Sequence, residues 1–417
     1  MRILVISGDY QPDDFYNGVY AAELCQYLAH THEVMVITSF PKHRDFSIYE
    51  EYERKLFRRE KIEAVEVGRC LTYRPRSRSP VQRILYDLSF AGSAFLNFFR
   101  FPRPDVVWCI SPPLQVGLVG VFARLFLGVP FAFDVRDLLP DLAINLGILK
   151  NKTLIWCLHA LESFIYRTAS VVSVISPGYV ANLIEKGVAR DKIVYLPIWV
   201  DTERFPVLPK SNDFSREHGL ADRFVVQYAG TIGAKQGLST LLEAAKLLSA
   251  VSDIVFLVIG DGPAKPELLE YAAREKLRNV RFLPFQPLAK LPELQATSAL
   301  STVFQKISVR NEVFPCKILS IMAAGRPVLA SVPRESEAAR VILESGCGFI
   351  VEPENAEMLA QTILQAHGQR DLLELGRNGR RYLEEHFAAS RVLPRFQTVL
   401  EAAATGVPPR AEAGLTS

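Results

Sequence analysis

The stretch FVVQYAGTIGAKQGL, residues 224–238, decides the fold class. It opens with mostly β-branched and aromatic residues that predict a strand ending at Gly230, and Leu238 begins an apolar helical pattern. The loop between them holds two more glycines. Glycine lets the backbone approach a phosphate closely, and a helix start offers free N–H groups. The stretch therefore predicts an anion-binding loop in an α/β domain, with a plain strand-to-helix turn as the alternative.

The glycine spacing disfavours one common class of α/β protein. The glycines stand at 230, 233 and 237, and the second spacing is one residue longer than in the dinucleotide-binding fingerprint. An acidic residue is also absent from the position, roughly 20 residues onward, where that fingerprint needs one. The pattern therefore argues against a nicotinamide-dependent dehydrogenase.

Short β-rich runs alternate with amphipathic helical stretches along the rest of the chain. This alternation is typical of parallel sheets with helices on both faces. The predicted strands of the first half are 2–7, 33–39, 62–67, 105–110, 130–134, 170–175 and 193–197. Those of the second half are 224–229, 254–260, 280–282, 300–304, 327–331 and 348–351. The fold class is therefore α/β, with two Rossmann-like, doubly wound domains.

The domain boundaries follow from where the periodicity stops. The prediction is an N-terminal domain over 1–197, a linker over 198–213 and a second domain over 214–375. Helices over 376–403 are expected to cross back to the first domain, and 404–417 is an Ala-, Gly- and Pro-rich tail. Two such domains are expected to face a cleft lined by the carboxyl ends of their strands, where ligands bind in this class.

Composition excludes several classes of function. Lys plus Arg number 48 against 45 Asp plus Glu in 417 residues, a balance that argues against a nucleic-acid partner. Six scattered cysteines without a Cys-x-x-Cys pair indicate a reducing compartment, and the chain opens on a strand instead of a signal peptide. No stretch reaches the roughly 18 apolar residues of a spanning helix. We therefore expect a cytoplasmic, soluble or surface-bound protein.

Two further segments carry polar groups of the same kind. Gly260-Asp-Gly262 follows a predicted strand and permits close backbone approach by a base or ribose, although it also suits a simple turn. In the third segment, Glu312 precedes a predicted helix and Lys317 lies in its first turns. A carboxylate there can accept hydrogen bonds from sugar hydroxyls and the lysine can reach a diphosphate, although a surface ion pair is the plainer interpretation.

These three segments, in this order, resemble the nucleotide-sugar half of a family 4 glycosyltransferase with the GT-B fold. The resemblance is strongest over 228–330 and extends to ISGDYQP…Gly18 near the start, which is similar to the acceptor-side glycine loop. The segment FDVRDLLPD, residues 133–141, resembles the active-site stretch of the family. The sequence around 236–238 and 315–317 is similar to that of the family branch that builds O-antigen, colanic acid and capsular polysaccharides.

The resemblance implies a donor site. The donor-binding residues expected from it are Gly230, Thr231, Gly233, Lys235, Gln236, Gly237, Gly260, Gly262, Phe285, Lys317 and Ser320. The chain departs from the family pattern at Thr231 and Gln236, where the family has Arg and Lys, and at Ser320, where it has a second Glu. Neutralisation of the diphosphate would therefore rest on Lys235, Lys317 and helix N-termini. A UDP-sugar is favoured as donor, and a GDP-sugar is also compatible.

The resemblance also implies the reaction. Family 4 members retain the anomeric configuration, and the leaving diphosphate itself can deprotonate the acceptor. Glu312 and Asp137 are the expected catalytic residues, Asp137 as an organiser of the site, with helix capping as its alternative role. Gly18 and Arg136 are expected on the acceptor side, where Arg136 would pair with Asp137 or guide an anionic acceptor. We expect no metal and no cofactor apart from the sugar nucleotide, because no Asp-x-Asp stands at a strand end in a metal-binding context.

A basic and aromatic segment predicts a membrane contact. Residues 69–103 combine an arginine-rich approach with a helical stretch rich in Leu and Phe. This combination is typical of an interfacial anchor on anionic lipid, while a core helix beside a solvated basic loop is the alternative. A lipid-linked acceptor and a peripheral location on the inner face of the cell membrane would follow. A sugar-nucleotide epimerase and a catalytically silent GT-B scaffold subunit stay open as other functions.

Overall fold

The structure, a computed structural model, describes residues 1–13, 16–42, 48–52, 55–75, 79–308 and 314–406. The chain divides into two compact units. The first comprises Met1–Pro197 with Leu393–Ser417, and the second comprises Ile198–Val392.

The first unit is built on an eight-stranded sheet in the order β3-β4-β2-β1-β5-β6-β7-β8. Its strands are β1 Arg2–Ser7, β2 Glu33–Ser39, β3 Phe57–Ile62, β4 Val65–Cys70, β5 Val106–Ser111, β6 Phe131–Val135, β7 Val171–Val174 and β8 Ile193–Tyr195. All neighbours are parallel except the β3–β4 pair, which is antiparallel. The near-continuous burial of β1, β5 and β6 agrees with a parallel sheet covered on both faces.

The helices of this unit are α1 Tyr16–Leu28, α2 Pro80–Phe98, α3 Gly117–Leu127, α4 Asp141–Asn145, α5 Lys152–Thr168 and α6 Pro177–Glu185. Crossovers between parallel strands are right-handed, so the direction of each connection decides the face on which its helix lies. The β1-to-β2 connection runs opposite to the connections that carry the later helices, which places α1 on one face and α2, α3, α5 and α6 on the other. On that second face α2 contacts α3, and α3 contacts α5.

The second unit is built on a six-stranded parallel sheet in the order β11-β10-β9-β12-β13-β14. Its strands are β9 Phe224–Ala229, β10 Ile254–Ile259, β11 Val280–Leu283, β12 Leu300–Phe304, β13 Val328–Ser331 and β14 Gly348–Val351. Its helices are α7 Asp213–Glu217, α8 Ser239–Leu247, α9 Lys265–Arg274, α10 Leu291–Thr297, α11 Lys317–Ala323, α12 Glu337–Ser345, α13 Ala356–His367 and α14 Leu372–His386. The main core of this unit lies between the sheet and α8, α9 and α13.

The last helix, α15 Ala389–Thr405, begins in the second unit and continues into the first. Within the first unit the Phe396 ring lies 5.2 Å from the Trp108 ring, centre to centre. The Arg395 guanidinium donates a 2.9 Å hydrogen bond to the Tyr195 carbonyl. Phe396 and Leu400 are both buried, so this end of α15 belongs to the core of the first unit.

The predicted strand 62–67 is wrong in its bounds. Residues 63 and 64 form the turn of a β3–β4 hairpin, and Glu63 has a positive φ of 53°. β3 has the sequence FRREKI and lies at the edge of the sheet, where no side chain is fully buried. A charged edge strand carries little hydrophobic periodicity, which is why the sequence pattern misses it.

The segment that the sequence assigns to a linker is partly built into the second unit. Trp199 and Val200 are buried, and the Val200 N–H donates a 2.9 Å hydrogen bond to the Phe387 carbonyl. At the other end, the Asn212 side chain caps α7 by accepting from the Ser215 N–H at 3.0 Å. No helix in the described ranges is long and apolar enough to cross a membrane.

Candidate functional site

The sheet of the second unit has a topological switch point at β9. This strand lies between β10 and β12. The chain passes from β9 to β10 and β11 toward one edge of the sheet, and from β12 to β13 and β14 toward the other. In doubly wound sheets a crevice opens at the carboxyl ends of the strands at such a point. The loop 230–237 leaves β9 there, and the Lys306 N–H, just beyond β12, donates a 3.0 Å hydrogen bond to the Lys235 carbonyl. The glycine loop is therefore anchored to both strands of the switch point.

Two glycines of the next loop are required by the glycine loop itself. A Cβ atom on Gly260 would lie 1.9 Å from the Gly230 carbonyl oxygen, and one on Gly262 would lie 2.2 Å from that of Ile232. Both positions also have φ values, 143° and 155°, that side chains rarely adopt. The sequence attributes the close approach at 260 and 262 to a base or ribose. In the structure the chain's own backbone already makes a close approach at both glycines, and their contact with a ligand stays a prediction.

Lys317 brings a positive charge to the glycine loop. It is the first residue of α11, and its ammonium nitrogen lies 3.8 Å from the centre of the Tyr228 ring. A Cβ on Gly230 would be 2.9 Å from that nitrogen, so Gly230 leaves the room that the ammonium occupies. The nitrogen is buried and has no hydrogen-bond partner among the described residues. Burial, together with the smaller effect of the nearby Lys235, lowers the pKa of Lys317 to about 7.

An ammonium in this position can bind an anion. Burying a charge without a partner is unfavourable, and a phosphate group placed beside it would relieve that cost. Tyr228 shapes the same place, because its hydroxyl donates a 2.6 Å hydrogen bond to the Thr231 carbonyl while its ring face receives the ammonium. The sequence pattern indicates no role for Tyr228. Its only signal was its position two residues before the first glycine.

The other predicted residues of this loop differ in what they contact. Lys235 is half-buried, and Thr231 is exposed. Gln236 accepts a 3.1 Å hydrogen bond from the Gly233 N–H and so closes the loop on itself. Gly237 has a φ of 63° and lies against the Lys306 side chain. The structure therefore assigns Gln236 a contact inside the loop.

Ser320 lies inside the protein. It is buried, its hydroxyl donates a 2.8 Å hydrogen bond to the Lys317 carbonyl, and it accepts from the Gln295 side chain at 3.4 Å. The first bond lies within α11 and uses the hydroxyl proton, and the second connects α11 to α10. Phe285 is half-buried just beyond β11. Glu312 lies outside the described residues.

In the first unit, Asp134 is a buried partner of Arg136 that the sequence did not suggest. The Arg136 Nε donates a 2.7 Å hydrogen bond to the Asp134 carboxylate, which also accepts from the Ser173 hydroxyl at 2.7 Å. The Arg136 guanidinium also lies over the Tyr20 ring, 5.2 Å from its centre. Arg136 and Asp134 are almost completely buried, and their charges compensate each other.

Asp137 follows this pair and is half-buried. Capping was its alternative role, but α4 begins at Asp141 and its N-cap position is Pro140. Asp137 is therefore not the N-cap of that helix. Gly18 lies near the start of α1, where a Cβ would be 3.2 Å from the Asp13 carbonyl oxygen, so it packs against the loop that follows β1.

The same loop carries a buried ion pair that the sequence analysis missed. The Lys42 ammonium lies 2.6 Å from the Asp9 carboxylate, and the Lys42 N–H donates a 2.9 Å hydrogen bond to Asp13. Burial raises the pKa of Asp13 to about 6, against the lowering effect of Lys42. Asp9 and Lys42 follow the ends of β1 and β2, and this placement after neighbouring strands was the available signal.

The described residues contain no group of three or more His, Cys, Asp or Glu side chains that could hold a metal ion.

Comparison with known proteins identifies the family. The model of the glycosyl transferase 4-like domain matches residues 18–199, and that of glycosyl transferases group 1 matches residues 210–382. WcaI of Escherichia coli K12, named as a glycosyl transferase of colanic acid biosynthesis, is 30% identical over 88% of this chain and 92% of its own length. The chain belongs to the family 4 glycosyltransferases.

Solved structures of this glycosyltransferase fold agree with the described architecture. Sucrose-phosphate synthase from Thermosynechococcus elongatus has a TM-score of 0.77 at 18% identity, covering 96% of this chain and 98% of its own. Anabaena HepE in complex with UDP-glucose has a TM-score of 0.69 at 17% identity, covering 96% and 100%. The fold of this glycosyltransferase is therefore GT-B, as the sequence predicts.

Proposed function

We propose that this glycosyltransferase is a retaining enzyme that moves a sugar from a nucleoside diphosphate sugar, preferably a UDP-sugar, to a hydroxyl acceptor. The observation that carries the proposal is the buried Lys317 ammonium, which has no counter-charge within hydrogen-bond reach in the described part of the chain. It lies against a glycine loop at the switch point of the sheet. A diphosphate supplies the missing charge.

The reaction follows from where negative charge develops. The acceptor oxygen bonds to the anomeric carbon as the bond from that carbon to the diphosphate breaks, and the acceptor proton passes to the leaving diphosphate. Lys317 and Lys235 stabilise that leaving charge, which lowers the barrier. Glu312 is proposed to contact the donor sugar and Asp137 to organise the acceptor side. Because lysines neutralise the diphosphate, we expect transfer to continue at full rate in excess EDTA.

The choice of donor is supported by a structural relative. The HepE structure is a complex with UDP-glucose, and its fold covers nearly all of this chain. A thermal-shift panel of UDP, GDP and their sugars tests the choice, because a ligand that binds the folded state raises its stability. Stabilisation by UDP but not GDP supports a UDP-sugar donor, and the reverse result contradicts it.

The acceptor is proposed to be a lipid-linked glycan in cell-surface polysaccharide synthesis. WcaI, which resembles this chain over most of both lengths, is named for colanic acid biosynthesis, and O-antigen assembly belongs to the same type of pathway. The test is transfer of radiolabelled sugar from the preferred donor to extracted lipid-linked oligosaccharides. Stabilisation by UDP without donor hydrolysis or transfer would instead favour a silent scaffold subunit.

Peripheral binding to the inner face of the cell membrane is proposed through residues 69–103. In α2, Tyr86, Phe90 and Phe98 are buried in the core of the first unit, which is the alternative that the sequence left open. The opposite side of the same helix is apolar and exposed along its length at Val81, Leu85, Leu88, Leu96 and, just beyond its end, Phe99. Arg76 and Arg78 of the basic approach lie outside the described residues. Co-sedimentation with anionic vesicles, lost at high salt, tests this contact.

A further inference from the structure

Three helices of the first unit form one outer layer. The right-handed crossovers place α2, α3 and α5 on the same face of the sheet, and each contacts the next. Between α2 and α3 the Phe95 and Phe122 rings lie 4.7 Å apart, centre to centre. Between α3 and α5 a Cβ on Gly117 would be 2.6 Å from the Ile165 side chain, so the backbones approach closely. The outer sides of the three helices are therefore neighbouring parts of one surface.

This surface is apolar on every one of its helices. On α2, Val81, Leu85, Leu88 and Leu96 stand at helical spacing on the exposed side. α3 adds Leu125 and Phe126 at its end, with Phe126 75% exposed. Of the 24 exposed large apolar residues in the described chain, nine lie on these three helices, and Phe99 and Ile148 adjoin them. A patch of this extent on one side of a soluble domain marks an interaction site.

Helix α5 exposes large aromatic side chains on its outer side. Its outer side presents Trp156, which is 70% exposed, and Phe164, with Ala160 between them. Its inner side carries the buried Glu162, which accepts hydrogen bonds from the Tyr166 hydroxyl at 3.0 Å and the Lys186 ammonium at 2.7 Å. Ile165 and Tyr166 are also buried on this side, so α5 carries apolar side chains on both of its sides, as expected of a helix that has an apolar partner outside the chain.

Charge identifies that partner. The three helices carry two carboxylates, Glu162 and Asp87, and both side chains are described. Glu162 is buried, and Asp87 pairs with Arg83 at 3.0 Å. The exposed cations on these helices and in the adjoining loops are Arg83, Arg100, Arg103, Arg124, Lys150, Lys152 and Arg167. The loop after α2 also carries the exposed Asp105, whose carboxylate accepts a hydrogen bond from the Arg2 N–H. An apolar surface with aromatic residues and flanking cations is complementary to a bilayer that contains anionic lipid.

We propose that the outer sides of α2, α3 and α5 together form the membrane-docking surface, so that Trp156 and Phe126 enter the interface with the α2 anchor. This inference deepens the membrane contact of the proposed function. It adds two helices that lie outside residues 69–103. The partner is a bilayer rich in anionic phospholipid, and a second copy of the chain is the competing occupant.

Trp156 provides an internal reporter. The chain has three tryptophans, and Trp108 and Trp199 are buried. The full chain is mixed with phosphatidylethanolamine–phosphatidylglycerol vesicles that contain brominated lipids. We expect quenching of tryptophan fluorescence and a blue shift, both absent in W156F. Vesicle binding without quenching in the wild type would overturn the role of α5.

Variants of α3 test the layer independently of the reporter. F126S should weaken vesicle binding about tenfold, because it removes apolar area that would be buried in the bilayer. R124E should also weaken binding at low salt, because it reverses a charge that faces anionic lipid. L343S is the matched control, since Leu343 is equally exposed but lies in the second unit, and binding should not change. Equal binding by F126S and wild type would overturn the role of α3.

The outcomes separate this inference from the enzyme itself. UDP-sugar hydrolysis in detergent-free buffer should be the same for F126S, W156F and wild type, because these residues lie outside the donor site. A wild type that stays in the supernatant with anionic vesicles at low salt overturns the docking surface while hydrolysis still supports the enzyme. Light scattering that shows a dimer broken by F126S, without vesicle binding, assigns the surface to a second copy.

Discussion

Buried charges lie near the carboxyl ends of the strands in both sheets, but they are paired in the first unit and unpaired in the second. In the second unit, the Lys317 ammonium is buried beside the glycine loop with no hydrogen-bond partner among the described residues. In the first unit, the Asp134 carboxylate and the Arg136 guanidinium are buried together 2.7 Å apart. The two charges at the carboxyl edge of the first sheet (the first edge) compensate each other, whereas that at the corresponding edge of the second sheet (the second edge) has no partner in the described chain, as the proposed anion site requires. The difference indicates that the second edge is organised for binding at a cost in stability.

The largest expected effect is on stability at the first edge. D134L should lower the free energy of unfolding by about 3–5 kcal/mol, because it leaves the Arg136 guanidinium buried without its partner. Chemical denaturation measures the change. D201L removes an exposed carboxylate, that of the Asp201–Arg204 pair, and should cost well under about 1 kcal/mol. An equally small loss in D134L would mean that the two edges do not differ as described.

K317M at the second edge should change the stability of the folded protein in the opposite direction to D134L. Removal of the ammonium should weaken UDP binding about 10- to 100-fold, the value of a charge-assisted hydrogen bond. The same change should raise the melting temperature of the ligand-free protein, because an unpaired buried charge is removed. Calorimetric titration and thermal unfolding measure the two effects. K246M, which alters an exposed lysine paired with Glu275, is the control and should leave both unchanged.

The pH dependence of the second edge follows from the pKa of Lys317, which burial lowers from 10.5 to about 7. Above pH 7 the free side chain is mostly neutral, and a bound diphosphate favours its charged form. UDP affinity should therefore fall as the pH rises from 6.5 to 8.5, with uptake of about one proton on binding at pH 8. Titration in buffers of different ionisation enthalpy measures the uptake, which should be absent in K317M.

Linkage also fixes the sign of the stability change. The unfolded chain holds the Lys317 proton up to about pH 10.5, whereas the folded protein releases it near pH 7. The unfolded state therefore binds more protons in that window, and this group's contribution to stability rises with pH from about 7 to 10.5. A difference between wild type and K317M that stays constant over the window would contradict the shifted pKa.

A smaller effect is expected at Tyr228. Y228L removes both the ring face under the ammonium and the hydrogen bond to the Thr231 carbonyl, so UDP binding should weaken about 3- to 30-fold. Y228F keeps the ring and should lose less. The pH midpoint of proton uptake is the decisive readout, because a role in positioning Lys317 shifts it while a purely structural role leaves it in place.

The smallest effect is expected at Lys235, whose half-exposed charge is screened by water. K235A should weaken UDP binding about two- to fivefold and should raise the pKa of Lys317 by removing a neighbouring positive charge. The proton-uptake midpoint should therefore move to higher pH. A loss as large as that of K317M would show that the two lysines share the diphosphate equally.

Much of the fold could be predicted because local pattern carries it. The strands β1, β2, β9, β12 and β14 begin and end where the runs of β-branched residues do, since a parallel strand covered on both faces must be apolar throughout. The edge strand β3 escaped prediction because its charged side chains satisfy no such requirement. The glycine loop and Lys317 were visible for a similar reason, since glycines at strand ends and a lysine near a helix start form a local signal.

Contacts between residues that are far apart in the sequence could not be predicted from local pattern. Asp134 meets Ser173 on a neighbouring strand, and Tyr228 meets Lys317, which lies 89 positions further along the chain. Gly260 and Gly262 were noticed correctly, but the atoms they make room for belong to Gly230 and Ile232, which only strand order brings beside them. Ser320 suited a ribose by residue type, and only the tertiary structure shows that it is buried with its hydroxyl donating to the Lys317 carbonyl.

The sequence by itself therefore determined the α/β class, the order of strands along the chain and the residue types available at each strand end. It did so because periodicity and glycine placement are properties of neighbouring residues. Only the tertiary structure decided which charges are compensated, which side of α2 and α5 faces outward, and that Lys317 is buried without a partner in the described chain. Burial and charge pairing depend on strand order and helix packing, and these join residues that are far apart in the sequence.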